Sequence, residues 1–185
     1  MSIIGTPTHL ENSINFNPVV NYDGAAANRI DWADISDAQT VFALLADNQG
    51  GTDFKHFLYQ HGANTSTTFT SGPGVYQHAT GGAADVRNGN WFFDGTSGPA
   101  TSARRTEPTI VTARVISSSS GVLVNSVGGQ DCCGGRVWSG DYPELIIYTR
   151  RLSDFEIQQV ETYLGIKYGR AVEHDYLASD STVLW

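Results

Sequence analysis

The chain has 185 residues, of which 40% are hydrophobic and 16% are charged. Its 19 acidic and 11 basic residues give a net charge of −8, and such a surface has no basic patch for the phosphates of a nucleic acid or an anionic membrane. No stretch approaches the ~18 apolar residues of a membrane span. The first residues also lack the basic and apolar regions of a signal peptide. We therefore expect a soluble domain without membrane insertion, excised from a parent that carries the export signal elsewhere.

Short apolar runs separated by Gly, Pro, Asn, Asp and Ser clusters dominate the chain, a pattern typical of a turn-rich β protein. The predicted strands are residues 14–22, 40–46, 56–61, 67–70, 90–94, 109–116, 121–125 and 144–148. Their spacing of roughly 8 to 15 residues is that of a β-sandwich. Within residues 109–116, apolar and half-polar positions alternate, which predicts a strand with one packed face.

One helix is predicted near the C-terminus. Ser153 and Glu156 have the spacing of a capping box, and Leu152 and Ile157 that of a hydrophobic staple. The apolar residues that follow recur at helical spacing up to Tyr168, and a glycine comes next. The sequence therefore predicts a helix over about residues 154–168, packed on the sandwich by its apolar stripe.

The segments WSGDYPELIIYTRRLSD (residues 138–154) and ETYLGIKYG (residues 161–169) resemble bacterial laminin-G-like domains. In that family a last strand of the form G-x-x-x-E-ψ-ψ-ψ-Y-x-R-x-L-S, in which ψ is apolar, leads into a helix ending in Y-L-x-x-K-Y-G. The resemblance implies an all-β, two-sheet antiparallel jelly-roll sandwich of the laminin G/concanavalin A-like type with one C-terminal α-helix packed on it. Residues 1–185 would form a single domain, with residues 172–185 as an extension toward the next module.

Within that family, the size, the acidic balance and the Cys132-Cys133 loop are most similar to the peptide-binding domains of repeats-in-toxin (RTX) adhesins. Those domains hold the C-terminal end of a partner protein beside a bound Ca²⁺. The resemblance implies a Ca²⁺-dependent binding module and not an enzyme. It would be a monomeric domain of a large multidomain adhesin on the bacterial cell surface. Its partner would be the C-terminal peptide of a host or neighbouring-cell surface protein.

The candidate binding site is a glycine-rich loop that holds both cysteines of the protein. The predicted ligand-binding residues are Gln130, Asp131, Cys132, Cys133, Gly134, Gly135 and Arg136. Adjacent Cα atoms lie about 3.8 Å apart, below the usual disulfide range of about 4.4–6.8 Å, so a bridge here would be strained. In an extracellular setting we expect the vicinal disulfide Cys132-Cys133; two reduced thiols are the alternative. Adjacent cysteines do not have zinc-ligand spacing.

Calcium prefers hard oxygen ligands, and acidic loop residues are the candidates for it. We expect Asp131, Gln130 and Asp141 to be metal ligands. For Asp94 we expect instead a turn residue whose side chain bonds its own backbone. A peptide carboxylate could coordinate the metal or pair with the planar guanidinium of Arg136. A turn role for Asp131 and a solvated charge for Arg136 remain the alternatives.

Two other functions are alternatives to peptide binding. A lectin-like carbohydrate-binding module would use exposed aromatic residues such as Trp91, Trp138, Tyr76 and Tyr142, but aromatic residues of a sandwich more often form its core. A sandwich glycosidase sets two carboxylates on one strand, and Glu144 has no such partner on its strand. We therefore predict Glu144 to be a structural, hydrogen-bonded residue. Arg104-Arg105 predicts no more than a surface turn.

Overall fold

The computed structural model describes residues 1–24, 28–48, 54–62, 69, 72–129 and 136–185. Eleven strands and two helices are assigned within them. In chain order they are β1 (Ser2–Ile4), β2 (Thr8–Ile14), β3 (Asn17–Asp23), β4 (Arg29–Ala38), β5 (Thr40–Leu45), α1 (Ala84–Arg87), β6 (Asn90–Phe93), β7 (Thr96–Gly98), β8 (Thr109–Arg114), β9 (Val122–Val127), β10 (Ser139–Tyr142), β11 (Glu144–Tyr148) and α2 (Asp154–Tyr168).

The strands form three antiparallel sheets. The largest has the order β11-β5-β8-β6-β7, and the two smaller ones have the orders β1-β4-β9 and β10-β3-β2. One face of the five-stranded sheet shares a core cluster with residues of the smaller sheets; its members include Val41, Tyr22 and Val124. The structure thus confirms an all-β sandwich with a C-terminal helix, and its second layer is divided into two sheets.

The opposite face of the five-stranded sheet carries α2. Phe42 and Leu44 of β5 pack there with Ile157, Leu164 and Tyr168 of the helix. Because both of its faces are covered, the sheet has a buried centre, and every residue of β5 and β8 is buried. The expectation of a single packed face for residues 109–116 is therefore wrong. The polar residues on the second face of β8 form hydrogen bonds to groups outside the sheet. In the sequence alone, they look like the residues of a face exposed to solvent.

The helix α2 confirms its sequence prediction. Ser153 accepts a hydrogen bond from the backbone N–H of Glu156, and the Glu156 side chain accepts from the backbone N–H of Ser153, which closes the capping box. Gly169 ends the helix at a φ of 63°, a left-handed conformation that favours glycine. Arg150 pairs with Glu156, and this partner together with the cap lowers the pKa of Glu156 to about 2.

The chain after α2 folds back over the helix. Leu177 and Val183 form an antiparallel bridge, and the backbone N–H of Tyr176 donates to the carbonyl of Trp185. The side-chain amide of Gln159 donates to the carbonyl of Ala178. We call residues 170–185 the C-terminal segment.

Several elements lie outside the predicted strands. The missed strands are β1, β2, β4, β7 and β10, and the four-residue helix α1 was also not predicted. Six of the seven residues of β2 are exposed, so its sequence has little apolar alternation to reveal it. Of the predicted strand 56–61, Leu58 and Tyr59 form isolated bridges, and Leu58 pairs with Phe69. The other residues of 67–70 lie outside the described part of the chain.

Candidate ligand-binding site

In the chain, the cysteine loop comes between β9 and β10. The backbone N–H of Trp138 donates to the carbonyl of Gly128, which joins the two ends of the loop. A Cβ on Gly128 would meet the Tyr22 ring at 2.2 Å, and its φ is +96°, so this position needs glycine. The predicted site residues Gln130, Asp131, Cys132, Cys133, Gly134 and Gly135 lie outside the described residues. The disulfide and the metal ligands among them therefore stay predictions.

Arg136 follows this loop and is held in a defined orientation. Its guanidinium carbon lies 4.6 Å from the centre of the Phe54 ring, and this ring also stacks on His78, with ring centres 5.4 Å apart and an interplanar angle of 24°. The carbonyl of Arg136 accepts a hydrogen bond from the backbone N–H of His56 at 3.1 Å. All three stacked side chains are half-buried. Stacking of this kind fixes a guanidinium plane while its N–H groups stay available.

The charge of Arg136 has no described counter-ion. None of the ion pairs among the described residues includes it. A planar guanidinium with unused donors can form two parallel hydrogen bonds to a carboxylate. The arrangement is therefore suited to an anionic ligand.

A buried histidine lies behind Arg136. His56 is fully buried, and its Nδ1 lies 3.4 Å from the carbonyl oxygen of Phe69. Burial lowers the pKa of His56 to about 4; the Phe69 carbonyl opposes this shift, and the charge of Arg136 adds to it. His56 is thus neutral near pH 7 and adds no positive charge beside Arg136.

Beside these residues, a buried ion cluster joins three parts of the chain. Asp47 accepts from Lys55 Nζ and from Arg104 Nε, each at 2.7 Å. Arg104 also donates to the carbonyls of Gly72 and Val75. The expectation that Arg104-Arg105 is a surface turn is wrong for Arg104, whose side chain is 1% exposed. Sequence reasoning missed this cluster, because only the fold brings Arg104 to a carboxylate that lies 57 residues away in the chain.

Asp141, the third predicted calcium ligand, lies on β10. Its Oδ1 accepts from the side-chain amide of Asn21 at 2.6 Å, and its backbone pairs with Ala46. The described residues contain no group of three or more His, Cys, Asp or Glu side chains that could hold a metal ion. A calcium site at Asp141 therefore stays a prediction.

The other carboxylates considered in the sequence have structural partners. Asp94 accepts from the backbone N–H of Ile110 at 2.9 Å and from Arg105 at 2.9 Å. Glu144 accepts from Tyr163 and Lys167, each at 3.0 Å, which confirms that it is hydrogen-bonded.

The aromatic residues considered for sugar stacking lie in the core. They are Trp91, Trp138, Tyr76 and Tyr142, each at most 5% exposed. None of these rings can therefore lie flat against a sugar on the surface.

Two surface grooves run beside α2. One of about 530 Å³ lies between β11, the helix and the C-terminal segment, and includes Ile146, Tyr163 and Leu177 in its walls. The other, of about 430 Å³, lies between the end of the helix and Trp185. Neither helix in the described part of the chain is long and apolar enough to cross a membrane.

Comparison with known proteins gives one short match. A family model described as a domain of unknown function (DUF8202) matches residues 156–185, which comprise most of α2 and the C-terminal segment. No curated protein and no solved structure matches the chain. The matched segment does not include Arg136 or the cysteine loop.

Proposed function

We propose that the chain is a Ca²⁺-dependent binding module that holds the C-terminal carboxylate of a peptide or protein, and that it does no chemistry on its ligand. One observation carries the proposal: Arg136 is oriented by Phe54, and its guanidinium has no counter-ion within the described residues. A guanidinium in a half-buried site forms stronger hydrogen bonds to a carboxylate than an ammonium of similar exposure, because both oxygens can be bound at once.

Calcium would act beside Arg136 in this proposal. Asp131, Gln130 and Asp141 would supply oxygen ligands, and the ion would order the loop and attract the same ligand carboxylate. The sulfurs of Cys132 and Cys133 would form one apolar wall. With the resemblance to RTX adhesins, the setting would be adhesion at a bacterial cell surface, with a host or neighbouring-cell protein as partner.

The binding experiment begins with a random peptide library with free C-termini, selected on the domain in the presence of Ca²⁺. The strongest peptide is then titrated by calorimetry as the free acid and as the C-terminal amide. We expect the amide and the Arg136→Gln variant to lose about tenfold or more in affinity, because charge-assisted hydrogen bonds contribute about 1.5–3 kcal/mol. Chelation of Ca²⁺ should have a similar effect.

Arg150→Gln is the matched control. Arg150 also lies beside an aromatic ring, that of Tyr148, but it already pairs with Glu156. Its replacement should leave the affinity unchanged. Equal binding of acid and amide would defeat carboxylate recognition, and an Asp131→Ala variant with full affinity and full Ca²⁺ dependence would remove Asp131 from the site. Saturable binding of a sugar would favour the lectin-like alternative, which the burial of its four aromatic residues leaves without a specific supporting observation.

A further inference from the structure

A buried carboxylate and a histidine meet between α2 and the C-terminal segment. Glu161 is 1% exposed, and its Oε2 lies 3.0 Å from Nε2 of His174. Its other oxygen, Oε1, accepts from the hydroxyl of Thr112 in β8 at 2.6 Å. The second ring nitrogen of His174 lies 2.9 Å from the carbonyl oxygen of Asp175. Helix, central sheet and C-terminal segment thus converge on one carboxylate.

This geometry requires a proton that can be lost near neutral pH. Both ring nitrogens of His174 face oxygen atoms, and a carbonyl oxygen can only accept. One hydrogen must therefore lie on Nδ1, and a second must lie between Nε2 and the Glu161 carboxylate. If the second hydrogen leaves, the Nε2 lone pair of His174 and an ionised carboxylate face each other at contact distance and repel. We propose that His174 and Glu161 form a proton-dependent latch that fastens the C-terminal segment to α2 and the central sheet.

The other charged groups near His174 do not remove the pH dependence of its contact with Glu161. Asp175 and Glu173 lie on the same segment and are exposed. On the side of the β6–β7 turn, Asp94 pairs with Arg105 and more loosely with Arg170. Thr112, which β8 contributes, carries no charge.

The sign of the pH dependence follows from the partners of His174. Burial lowers its pKa, but the hydrogen bonds to Glu161 and to the Asp175 carbonyl, with the nearby carboxylates, outweigh burial and raise the pKa above 6.5. A histidine whose folded pKa is raised stabilises the docked state fully below its unfolded pKa, and this contribution is lost as the pH rises through the folded pKa. The latch is therefore closed in mild acid and weakened in mild alkali.

Opening the latch would change the surface beside α2. The segment places Leu177 and Leu184 in the wall of the larger groove and Tyr176 and Trp185 in that of the smaller one. The hydrogen bonds that dock the segment include the one from the backbone N–H of Leu177 to the Thr162 hydroxyl. Loss of docking would remove one wall of each groove.

Hydrogen exchange tests the latch directly. The amides of Leu177 and Glu173, which bond to Thr162 and Asp94, should lose protection severalfold between about pH 6 and about pH 8.5, after correction for the intrinsic exchange rate, because the contribution of the protonated imidazole is lost as the pH rises. The amide of Leu44 in the central sheet should keep its protection. In His174→Gln the difference between the two pH values should vanish.

A second readout and a control complete the test. Nuclear magnetic resonance titration of the wild-type ring should give His174 a pKa above 6.5, and Glu161→Gln should lower it. His9→Gln replaces an exposed histidine and should keep the pH dependence of the segment. Protection that is equal at both pH values in the wild type, or a pH dependence that persists in His174→Gln, would overturn the proposal. The wild-type measurements stand even if a latch variant fails to fold.

Discussion

Two buried carboxylates, Asp47 and Glu161, hold separate parts of the molecule together with different partners. Asp47 accepts from a lysine and an arginine, Lys55 and Arg104. Glu161 accepts from a neutral hydroxyl and faces a histidine. Lysine and arginine ordinarily remain charged across the physiological pH range, whereas histidine titrates within it. The two clusters therefore differ in their response to pH more than in their burial.

The difference indicates which region keeps its contacts as the pH changes and which region can lose them. Asp47 lies next to loops that lead to the proposed binding site, and its cationic partners keep that region joined at any moderate pH. Glu161 holds the C-terminal segment through a group that can lose its proton. The proposed ligand site and the C-terminal segment are thus held by ion pairs of different chemistry. The first must keep its shape, and the second can detach.

The largest effect is expected from Asp47→Ala. The substitution leaves the side chains of Lys55 and Arg104 buried without this carboxylate, and breaking a buried pair by removing one partner costs about 3–5 kcal/mol. Urea denaturation should show the corresponding fall in the free energy of unfolding. The fall should be similar at mildly acidic and mildly alkaline pH.

The control for this variant is Asp34→Ala. Asp34 is exposed and bonds to the Asn125 side chain, so its loss should cost less than about 0.5 kcal/mol. A cost for Asp47→Ala near that of the control would mean that Lys55 and Arg104 find water or other partners, and the cluster would then not fasten the loops.

How far the sequence predicts each region depends on how local its signals are. The start of α2 was predictable, because Ser153 and Glu156 are three residues apart and form the cap by themselves. Gly169 likewise marks its end. Arg136 was predicted as a candidate from its place beside the cysteine loop, but its contact with Phe54 comes from a distant segment.

The partners of polar core residues could not be predicted for the same reason. Thr112 and Arg114 alternate with apolar residues in β8, and in the sequence this reads as a face toward solvent. In the fold Thr112 bonds to Glu161, and Arg114 bonds to the Leu152 carbonyl and to Asp154. Only the packing of α2 on the second face of the sheet reveals that these groups are buried and paired.

An intermediate effect is expected from Thr112→Val. Valine keeps the shape of the side chain but leaves one oxygen of the buried Glu161 carboxylate without its hydroxyl donor, which costs about 1–3 kcal/mol. Thr112→Ser keeps the donor and is the matched control. Thermal or urea unfolding of both variants gives the comparison. A free energy of unfolding for Thr112→Val equal to that of the wild type would show that this hydrogen bond does not stabilise the fold.

The smallest effect is expected from Tyr22→Phe and Tyr142→Phe. The two rings meet edge to face, with centres 6.3 Å apart, close to the loop ends, and burial raises the pKa of both phenols. Neither hydroxyl has a hydrogen-bond partner among the described residues, so its removal should change the free energy of unfolding by less than about 0.5 kcal/mol, since no bond is lost and a buried polar group is removed. A loss above about 1 kcal/mol would show that these phenols are hydrogen-bonded in solution. The loop end of the sandwich would then be held by paired polar groups much as the helix side is, and the contrast with Thr112 would disappear.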